Sequence, residues 1–337
     1  MERTCQPRTQ GVWRELLLKQ RAFGPKMQPR FSHFKKDRQM TDPTLAGPRQ
    51  TISFEFFPPH SPEASLRLWR SVERLAPLGP SFVSVTYGAG GTTRERTMAA
   101  ILAIRDRARL DVAGHLTCVG ASRAETLEVA RGYAKLGARS VVALRGDPPK
   151  GAERFVPHPE GFTSAAELVA GLAADGVQNI YVAAYPEVHP EAASPEADID
   201  NLKRKLDAGA TAALSQFFFD TELFLRFRDR CLAAGITAPV HPGILPVENF
   251  DRLVNFAGRC GASVPEFMHR AFGNAGTAED KALLATAIAT DQCDRLRTEG
   301  VEHFHFYTLN NPDLTFDICR AIGVEAQPLS MAAHGGR

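Results

Sequence analysis

The sequence predicts an α/β fold, a single domain built as a closed (β/α)8 barrel behind a disordered N-terminal extension. Short, continuously apolar segments alternate with amphipathic helical patterns, which is typical of a parallel sheet covered on both faces. Eight strand–helix units follow one another in about 280 residues, the number and size of a TIM barrel. An open doubly wound sheet is the alternative fold, but no G-x-G-x-x-G motif follows the first strand and no P-loop occurs.

Strands are predicted where apolar and β-branched residues form a short run that ends at turn residues. The first run ends at Pro58 and Pro59, which cannot continue a hydrogen-bonded ladder. In chain order, the predicted strands are Ile52–Pro59, Ser81–Gly88, Val112–Cys118, Ser140–Gly146, Asn179–Pro186, Ala212–Phe219, Pro239–Pro246 and Val301–Asn310.

Helices are predicted between the strands from apolar residues spaced three and four apart, with glycine at several of the ends. In chain order, the predicted helices are Pro62–Leu78, Thr92–Arg107, Arg123–Leu136, Ser164–Ala174, Asp198–Ala208, Thr221–Ala234, Glu248–Arg259, Ala278–Gly300 and Asp313–Ile322. The segments between Asp147 and Thr163, and between Arg259 and Ala278, are predicted to be loops.

The charged residues are unevenly distributed along the chain. Residues 1–49 hold 11 Lys and Arg against 4 Asp and Glu, whereas the remainder is mildly acidic. We therefore predict a basic extension over residues 1–49, a barrel over residues 50–325 and a tail over residues 326–337. The extension fits a transit peptide, a disordered arm or a translated upstream region with the natural start at Met27 or Met40. We favour the third interpretation, and none gives the extension a catalytic role.

Composition excludes several functional classes. A mildly acidic body argues against nucleic acid as the main partner. No run of about 18 apolar residues is present, so no membrane span is predicted. The six cysteines are scattered without a C-x-x-C pair, which indicates reduced, mostly buried thiols in a cytoplasmic protein. Neither a metal-ligand spacing nor a nucleophile elbow is found.

Glu55 is the most unusual residue of the first strand, because phenylalanines flank it on both sides. Alternation places Ser53 and Glu55 on one face of the strand, with Phe54 and Phe56 on the other. Burial favours a neutral carboxyl, so we expect a raised pKa suited to a general acid. The alternative is a strand-end carboxylate that pairs with a neighbour or meets water, and this stretch alone supports both equally.

The predicted strands carry polar residues at their C-terminal ends, where barrel enzymes have their active sites. The residues so placed are Glu55, Thr86, Tyr87, His115, Thr117, Arg145, Asp147, Tyr185, Glu187, His189, Gln216, Gly243, His305, Tyr307 and Asn310. Single polar residues in strands are often satisfied core groups. Agreement among eight strands predicts a functional site.

Two clusters have a more specific interpretation. Asp147 lies on a proline-rich turn, so it forms a second carboxylate in a different environment from Glu55, or it simply starts the turn. On the helix after the fifth strand, residues spaced by three, three and one share a face that suits a diphosphate, although a solvated face is commoner. These residues are Asp198, Asn201, Arg204 and Lys205.

Nine motifs in this order make the chain resemble the bacterial type of the methylenetetrahydrofolate reductase family over roughly residues 50–325. They are SFEFFPP, FVSVTYGAGG, HLTC, ALRGDPP, AAYPEVHP, NLKRKLDAGA, QFFFD, PGILP and HFYTLN. The resemblance implies an FAD-containing barrel that NADH or NADPH reduces. The nucleotide leaves, and methylenetetrahydrofolate is then reduced to methyltetrahydrofolate for methionine synthesis. We also expect a homo-oligomer.

The resemblance further implies roles for individual residues. Glu55 matches the general acid that helps to open the five-membered folate ring, and Asp147 matches a catalytic aspartate near the flavin. The implied cofactor-binding residues are Thr86, Tyr87, Ala89, His115, Arg145, Gly146, Asp147, Tyr185, His189, Asp198, Asn201, Arg204 and Lys205. The implied substrate-binding residues are Glu55, Thr86, Asp147, Gln216, Phe256 and Tyr307.

Two positions depart from the family pattern. Asn311 stands where an arginine commonly meets the folate tail, and Arg252 stands where a glutamine is often found. These departures concern the folate-tail and nicotinamide contacts. Two other functions remain as alternatives, a flavin-free barrel using Glu55 and Asp147 as acid and base, and an inactive barrel that only binds. Flavin colour in the purified protein separates both alternatives from the reductase.

Overall fold

Eight parallel strands close into one barrel in chain order, and the last pairs with the first. The structure, a computed structural model, describes residues 50–87, 94–148, 151 and 154–327. The strands are β1 (Thr51–Phe56), β2 (Phe82–Val85), β3 (Val112–Thr117), β4 (Ser140–Leu144), β5 (Asn179–Ala184), β6 (Ala212–Phe217), β7 (Val240–Ile244) and β8 (His303–Tyr307). The predicted (β/α)8 barrel is confirmed. The extension, most of the tail and Ala89 lie outside the described residues, so the predicted domain limits stay predictions.

Helices cover the outside of this barrel. They are α1 (Pro62–Leu75), α2 (Arg94–Ala108), α3 (Arg123–Lys135), α4 (Ala165–Ala174), α5 (Pro195–Asp207), α6 (Thr221–Ala233), α7 (Phe250–Cys260), α8 (Glu266–Asn274), α9 (Ala278–Thr298) and α10 (Pro312–Ala321). Side-chain caps fix several starts. Ser122 and Glu125 form a reciprocal capping box at α3, and Ser194 caps α5. Among the described residues, no helix is long and apolar enough to cross a membrane.

One predicted helix start and one predicted loop were wrong. Helix α5 begins at Pro195 rather than near Asp198, because the Ser194 hydroxyl accepts from the Ala197 N–H and proline suits the first turn. The segment predicted as a loop before Ala278 contains helix α8. That helix has only nine residues and buries just Met268 and Phe272, too few positions for a clear periodic pattern.

The predicted strands also ran too far at their C-terminal ends. Strand β1 ends at Phe56 and β8 ends at Tyr307. Beyond them, the Asn310 side chain accepts from the Phe57 N–H at 2.9 Å and donates to the Phe57 carbonyl at 3.0 Å. Asn310 reaches this position with a φ of 56°, which asparagine tolerates better than most residues. This polar residue therefore fixes the chain after β1.

The strands have two different faces. Phe54, Phe56 and Phe306 belong to the large apolar core that packs strands against helices. Inside the barrel, alternation places Ser53 and Glu55 of β1, as the sequence predicted. A small apolar layer also lies there, formed by Phe82, Ala113, Val142 and Leu214. The barrel interior is thus partly polar, although the strands read as continuously apolar.

The described cysteines are all free, as the sequence predicted. Four are buried and Cys260 is half-buried. One of the buried cysteines, Cys293, has a pKa raised well above the usual value because burial disfavours the thiolate. The buried thiols therefore act as small apolar side chains of the core.

Candidate active site

Glu55 meets two imidazoles inside the barrel. Its Oε2 atom lies 3.3 Å from His115 Nε2 and 3.8 Å from His305 Nε2. Among the described residues, neither ring nitrogen has a well-formed hydrogen bond, and both imidazoles stabilise the carboxylate through charge and polar contact. The backbone of Glu55 is also fixed, because its carbonyl accepts from Thr308 Oγ1 at 2.6 Å. The carboxylate is therefore held in one place between β3 and β8.

The expected rise in the pKa of Glu55 was wrong. Burial does raise it, but the neighbouring His115, and then His305, outweigh burial and lower the pKa to about 2. This lowering depends on a proton carried by an imidazole, because a neutral ring has no charge with which to stabilise the carboxylate. The sequence could not show it, since His115 and His305 lie far from Glu55 in the chain. The ionised state of Glu55 is thus set by side chains from two other strands.

The backbone of His115 is fixed by a hydrogen bond from helix α3. Tyr133 of α3 donates from its hydroxyl to the His115 carbonyl at 3.0 Å. The aromatic ring of Tyr133 fits there because Gly114 has no side chain, since a Cβ at Gly114 would lie 2.3 Å from the ring. Burial raises the pKa of Tyr133 beyond its usual range, so this hydroxyl stays a donor. The helix therefore positions His115 towards Glu55.

Three aromatic rings, those of Tyr307, Phe217 and Phe256, form an aromatic wall beside Glu55. Tyr307 donates from its hydroxyl to the Ser215 carbonyl at 2.7 Å, and its ring meets Phe217 edge-on at 6.3 Å. Phe217 stacks on Phe256 of α7, with ring centres 5.4 Å apart. Burial, followed by the charge of Glu55, raises the pKa of Tyr307 well above its usual value. This wall offers a flat apolar surface to a planar ring.

Gln216 leaves the regular ladder at a bulge. The register of β6 against β7 shifts between Leu214 and Phe217, and the Gln216 Oε1 atom accepts from the Phe217 N–H at 3.0 Å. The strands can close there because Gly243 has no side chain. A Cβ at Gly243 would lie 2.2 Å from the Ser215 carbonyl oxygen. The bulge re-aims Gln216 towards the barrel mouth, and the amide N–H groups of Gln216 have no recorded bond among the described residues.

The loop after β2 carries Thr86 and Tyr87, both half-buried. Thr86 donates its N–H to the Phe56 carbonyl at 3.0 Å, and its own carbonyl accepts from Thr97 Oγ1. Burial raises the pKa of Tyr87. The Thr86 side chain is therefore carried on a backbone fixed at both ends, close to the end of β1.

Arg145, Gly146 and Asp147 follow β4. Arg145 pairs with Glu191 and lies over the ring of Phe155, 5.2 Å from its centre. Gly146 has a φ of 86°, and a Cβ there would lie 2.6 Å from Val119. Asp147 is exposed, unlike Glu55. The two predicted catalytic carboxylates thus have different environments.

Tyr185 and His189 form a second aromatic pair, edge-on with ring centres 4.7 Å apart. The His189 N–H donates to Asp198 Oδ2 at 2.9 Å, which ties the loop after β5 to helix α5. Burial raises the pKa of Tyr185 to about 12, with smaller contributions from Asp147 and Asp198. Burial lowers the pKa of His189. The structure therefore brings Asp147, Tyr185 and Asp198 to one side of the barrel mouth.

The residues of the predicted polar face of α5 point in two directions. Asp198 and Lys205 are buried, and the Lys205 ammonium donates to the Ala183 carbonyl of β5. Burial lowers the pKa of Lys205 to about 8. Arg204 is exposed and donates to Asn201 Oδ1 at 3.4 Å. Asp198, Asn201 and Lys205 face the barrel, whereas Arg204 lies about 100° around the helix from Lys205.

The two departures from the family pattern lie near the same mouth. Asn311 hydrogen-bonds the side chain of Glu248, whose pKa burial raises. Arg252 is exposed in the first turn of α7, one helical turn before Phe256. Arg259, one turn after Phe256, lies 5.9 Å from its ring centre. Cations therefore flank Phe256 on its own helix.

Sequence reasoning missed several residues of this site. It did not assign Ser53, His303 or Ser215, although Ser53 was placed on the Glu55 face. Each is a small or polar residue whose partner lies on another strand, such as Ser215 Oγ accepting from the Gly243 N–H. Only alternation with Glu55 offered a signal, and it did not identify the partners.

Comparison with known proteins decides the family. The family model for methylenetetrahydrofolate reductase matches residues 41–323. The chain belongs to the methylenetetrahydrofolate reductase family. The resemblance expected from the nine motifs is confirmed, and the reductase is an oxidoreductase.

Two bacterial relatives show how far the similarity extends. The chain is 49% identical over 274 residues to the 5,10-methylenetetrahydrofolate reductase of Salmonella typhimurium, covering 81% of this chain and 90% of the relative. It is 48% identical over 274 residues to that of Escherichia coli, covering the same shares. The reductase assignment therefore rests on nearly the whole barrel.

A solved structure supports the fold of the reductase. An uncharacterized protein from Clostridium thermocellum, described as binding two copies of 5-methyl-5,6,7,8-tetrahydrofolic acid, aligns with a TM-score of 0.53 at 11% identity. The alignment covers 81% of this chain and 94% of that protein. At this identity the likeness shows a shared barrel architecture.

Proposed function

We propose that this reductase converts 5,10-methylenetetrahydrofolate to 5-methyltetrahydrofolate with NADH or NADPH as donor, in a ping-pong reaction through FAD. We further propose that it acts in the cytoplasm as a homo-oligomer and supplies methyl groups for methionine synthesis. The observation that carries the proposal is the Glu55 carboxylate beside His115 and His305 at the barrel mouth. A carboxyl group between two imidazoles and beside the aromatic rings of Tyr307, Phe217 and Phe256 suits acid catalysis on a planar heterocycle.

The residues present fit FAD. Lys205 is a buried cation whose charge Asp198 offsets only in part, so its lowered pKa marks a place where an anionic diphosphate would be stabilising. Thr117 Oγ1 is buried without a hydrogen-bond partner among the described residues, near the end of β3. The other residues proposed to hold FAD are Thr86, Tyr87, Ala89, His115, Arg145, Gly146, Asp147, Tyr185, His189, Asp198, Asn201 and Arg204. FAD, when bound, accepts a hydride from the nicotinamide and returns it to the folate.

Glu55 would deliver the proton that opens the folate ring. An amine nitrogen of a five-membered ring leaves more readily once it is protonated. The lowered pKa of Glu55 keeps its carboxyl ionised before the folate binds. Bound folate would exclude water from Glu55. Loss of water destabilises the ionised carboxylate and raises its pKa, which favours transfer of a proton to Glu55. Substrate binding and acid formation are thereby coupled.

The remaining residues would orient the substrate. Phe256, stacked on Phe217, and Tyr307 provide the aromatic surface for the pterin and its aryl group. Gln216, re-aimed by the bulge, has amide N–H groups for a pterin oxygen or nitrogen. Thr86 and Asp147 would contact the substrate from the opposite side of the mouth, with Asp147 accepting from the pterin.

Anaerobic spectroscopy of the purified protein tests this function. We expect a yellow protein with bound FAD, whose flavin absorbance bleaches with NADH or NADPH and returns on addition of methylenetetrahydrofolate. Parallel reductions with the two nucleotides identify the preferred donor. A colourless protein that cannot be reconstituted with FAD would contradict the proposal and favour one of the flavin-free alternatives.

A further inference from the structure

A continuous row of polar side chains runs through the barrel from its opposite end to Glu55. Thr51 Oγ1 lies 2.8 Å from His303 Nδ1, and His303 Nε2 lies 2.8 Å from Ser53 Oγ. Ser53 Oγ lies 2.7 Å from His305 Nδ1. His305 Nε2, the next atom in the row, lies 3.8 Å from Glu55 Oε2. Strand β1 contributes every second member and β8 contributes the others.

The two ends of this row have different surroundings. Thr51 is exposed at the N-terminal edge of β1, whereas Ser53 and His305 are fully buried. Glu55 is four positions after Thr51 on β1, which is about 13 Å at roughly 3.3 Å per residue. The row therefore joins solvent at one end of the barrel to the carboxylate at the other.

The hydrogen bonds permit two opposite polarities. In one, Thr51 donates to His303 Nδ1, His303 Nε2 donates to Ser53, and Ser53 donates to His305 Nδ1. In the other, Thr51 donates to the Glu302 carbonyl at 3.1 Å, and every later bond is reversed. Each hydroxyl and each neutral imidazole can accept one proton and donate another. Both directions thus satisfy every hydrogen bond from Thr51 to His305 Nδ1.

Aromatic packing covers one side of the row, and its inner members are buried. Phe82 stacks on His303 and His305, with ring centres 5.9 Å away in each case. Tyr181 stacks on the ring of Phe82 at 4.4 Å. Protons that cross this layer must therefore move along the side chains.

We propose that Thr51, His303, Ser53 and His305 form a proton relay that returns a proton to Glu55 from solvent at the N-terminal end of the barrel. The inference rests on the proposed role of Glu55 as the acid of folate reduction. A relay is useful there because bound cofactor and substrate cover the other end of the barrel. His303 and Ser53 then serve the reaction without touching the substrate.

The proton balance is simple. A solvent hydronium at the Thr51 end gives up one proton, each member accepts one and passes one on, and the Glu55 carboxylate gains one. Glu55 then loses that proton to the folate nitrogen, so each folate reduced consumes one solvent proton, and no electrons move along the row. For the last transfer, the 3.8 Å gap between His305 and Glu55 must shorten to hydrogen-bond distance. Rotation of the hydroxyls and tautomer exchange restore the first polarity.

The titratable groups that face this row are His115 of β3, Tyr181 of β5, His241 of β7 and Tyr307 of β8. Burial, then His305, lowers the pKa of His241 to about 4. Burial, then His241 and His305, lowers the pKa of His303 to about 2. His303 is therefore neutral near pH 7, the state in which an imidazole passes protons by exchanging tautomers.

Ser53→Ala in the FAD-loaded full-length protein tests the relay. In an enzyme equilibrated with buffer, the proton that Glu55 will deliver to the folate is already in the site. The first reoxidation by methylenetetrahydrofolate therefore stays at the wild-type rate. Repeated turnover needs the relay, so kcat falls by roughly tenfold or more, towards the ~10² lower limit for acid–base groups. The solvent isotope effect on kcat in D2O rises. Ser84→Ala, which removes another buried hydroxyl inside the barrel, is the control and leaves kcat unchanged.

The exposed end provides a second pair of variants that does not disturb the interior. Thr51→Val lowers kcat in the same way, and Thr51→Ser restores it because the hydroxyl returns. Equal slowing of the first turnover and of steady-state turnover in Ser53→Ala would overturn the relay and leave Ser53 a positioning residue. Wild-type kcat in both Ser53→Ala and Thr51→Val would also overturn it. A Glu55→Gln variant that still reoxidises normally would instead overturn the role of Glu55 itself.

Discussion

Glu55 Oε2 lies 3.3 Å from His115 Nε2, although β2 separates the two strands that carry these residues. Both side chains point into the barrel, so the contact forms above β2, whereas the His305 contact depends on the pairing of β8 with β1 that closes the barrel. It converts a carboxylate that burial would make a weak acid into one whose pKa is about 2. The electrostatic environment of Glu55 is therefore set by a cluster of three side chains, Glu55, His115 and His305.

This cluster predicts an acid-side loss of stability. The folded pKa of Glu55 lies below its ordinary value of 4.5, so its contribution is present above pH 4.5 and is lost as pH falls towards 2. The contribution is at most about 3 kcal/mol, from 1.36 kcal/mol per pKa unit. Glu55→Gln should lack this dependence. Urea unfolding between about pH 5 and about pH 3 should show wild-type stability falling more steeply than that of the variant. Parallel curves would mean that the histidines do not stabilise the carboxylate.

Helix α5 should control retention of FAD. Replacing Arg204 and Lys205 together by Ala removes the two cations proposed to bind the diphosphate. Loss of the buried Lys205 alone, at about 1.5–3 kcal/mol for a charge-assisted bond, should lower FAD affinity roughly tenfold or more. Circular dichroism should barely change, because alanine favours helix. Lys203→Ala is the matched control, since Lys203 pairs with Asp207 on the same helix. Flavin content after dilution measures the effect, and a fully flavinated double variant would show that this face is merely solvated.

Gly243 should be intolerant of a side chain. A Cβ there would lie 2.2 Å from the Ser215 carbonyl and 2.6 Å from the Tyr307 ring. Gly243→Ala should lower the free energy of unfolding by about 1–3 kcal/mol, the usual cost of overpacking. Gly273→Ala in α8 is the control, because a Cβ there meets no atom within 4 Å. Denaturant unfolding compares them, and equal stability of the two variants would show that β6 and β7 can separate freely.

The N-terminal extension should be dispensable. The family match begins at residue 41, and residues 1–49 have the opposite charge balance to the body. Deleting residues 1–39 should leave flavin content and turnover at the full-length values. A truncated protein that aggregates or loses its flavin would show that the barrel needs the extension.

The sequence predicted the order of strands and helices because each element carries its own local pattern. Apolar runs ending at proline or glycine marked β1 and β2, and apolar residues three and four apart marked the helices between the strands. Helix α8 was not predicted because it is short and buries only two side chains. Local signals were sufficient for most of the barrel.

The electrostatics of the site were not predictable in the same way. The pKa of Glu55 depends on His115 and His305, which lie 60 and 250 positions away in the chain. Alternation placed Ser53 beside Glu55, but its partners His303 and His305 come from β8. The helix face at α5 was predicted from spacing alone, and the structure divides it because Lys205 turns inward to Ala183. Such properties arise only when distant strands meet.

The most direct test of the account separates the two half-reactions of Glu55→Gln by anaerobic rapid mixing. Glutamine keeps the size of the side chain but cannot act as an acid, so flavin reduction by NADH or NADPH should remain near normal. Reoxidation by methylenetetrahydrofolate should slow by about 10²–10⁴ or more. Asp147→Asn, the comparison variant, should disturb both halves modestly. Equal loss in both half-reactions of Glu55→Gln would contradict the account, because Glu55 would then hold the barrel or the flavin together without being the acid.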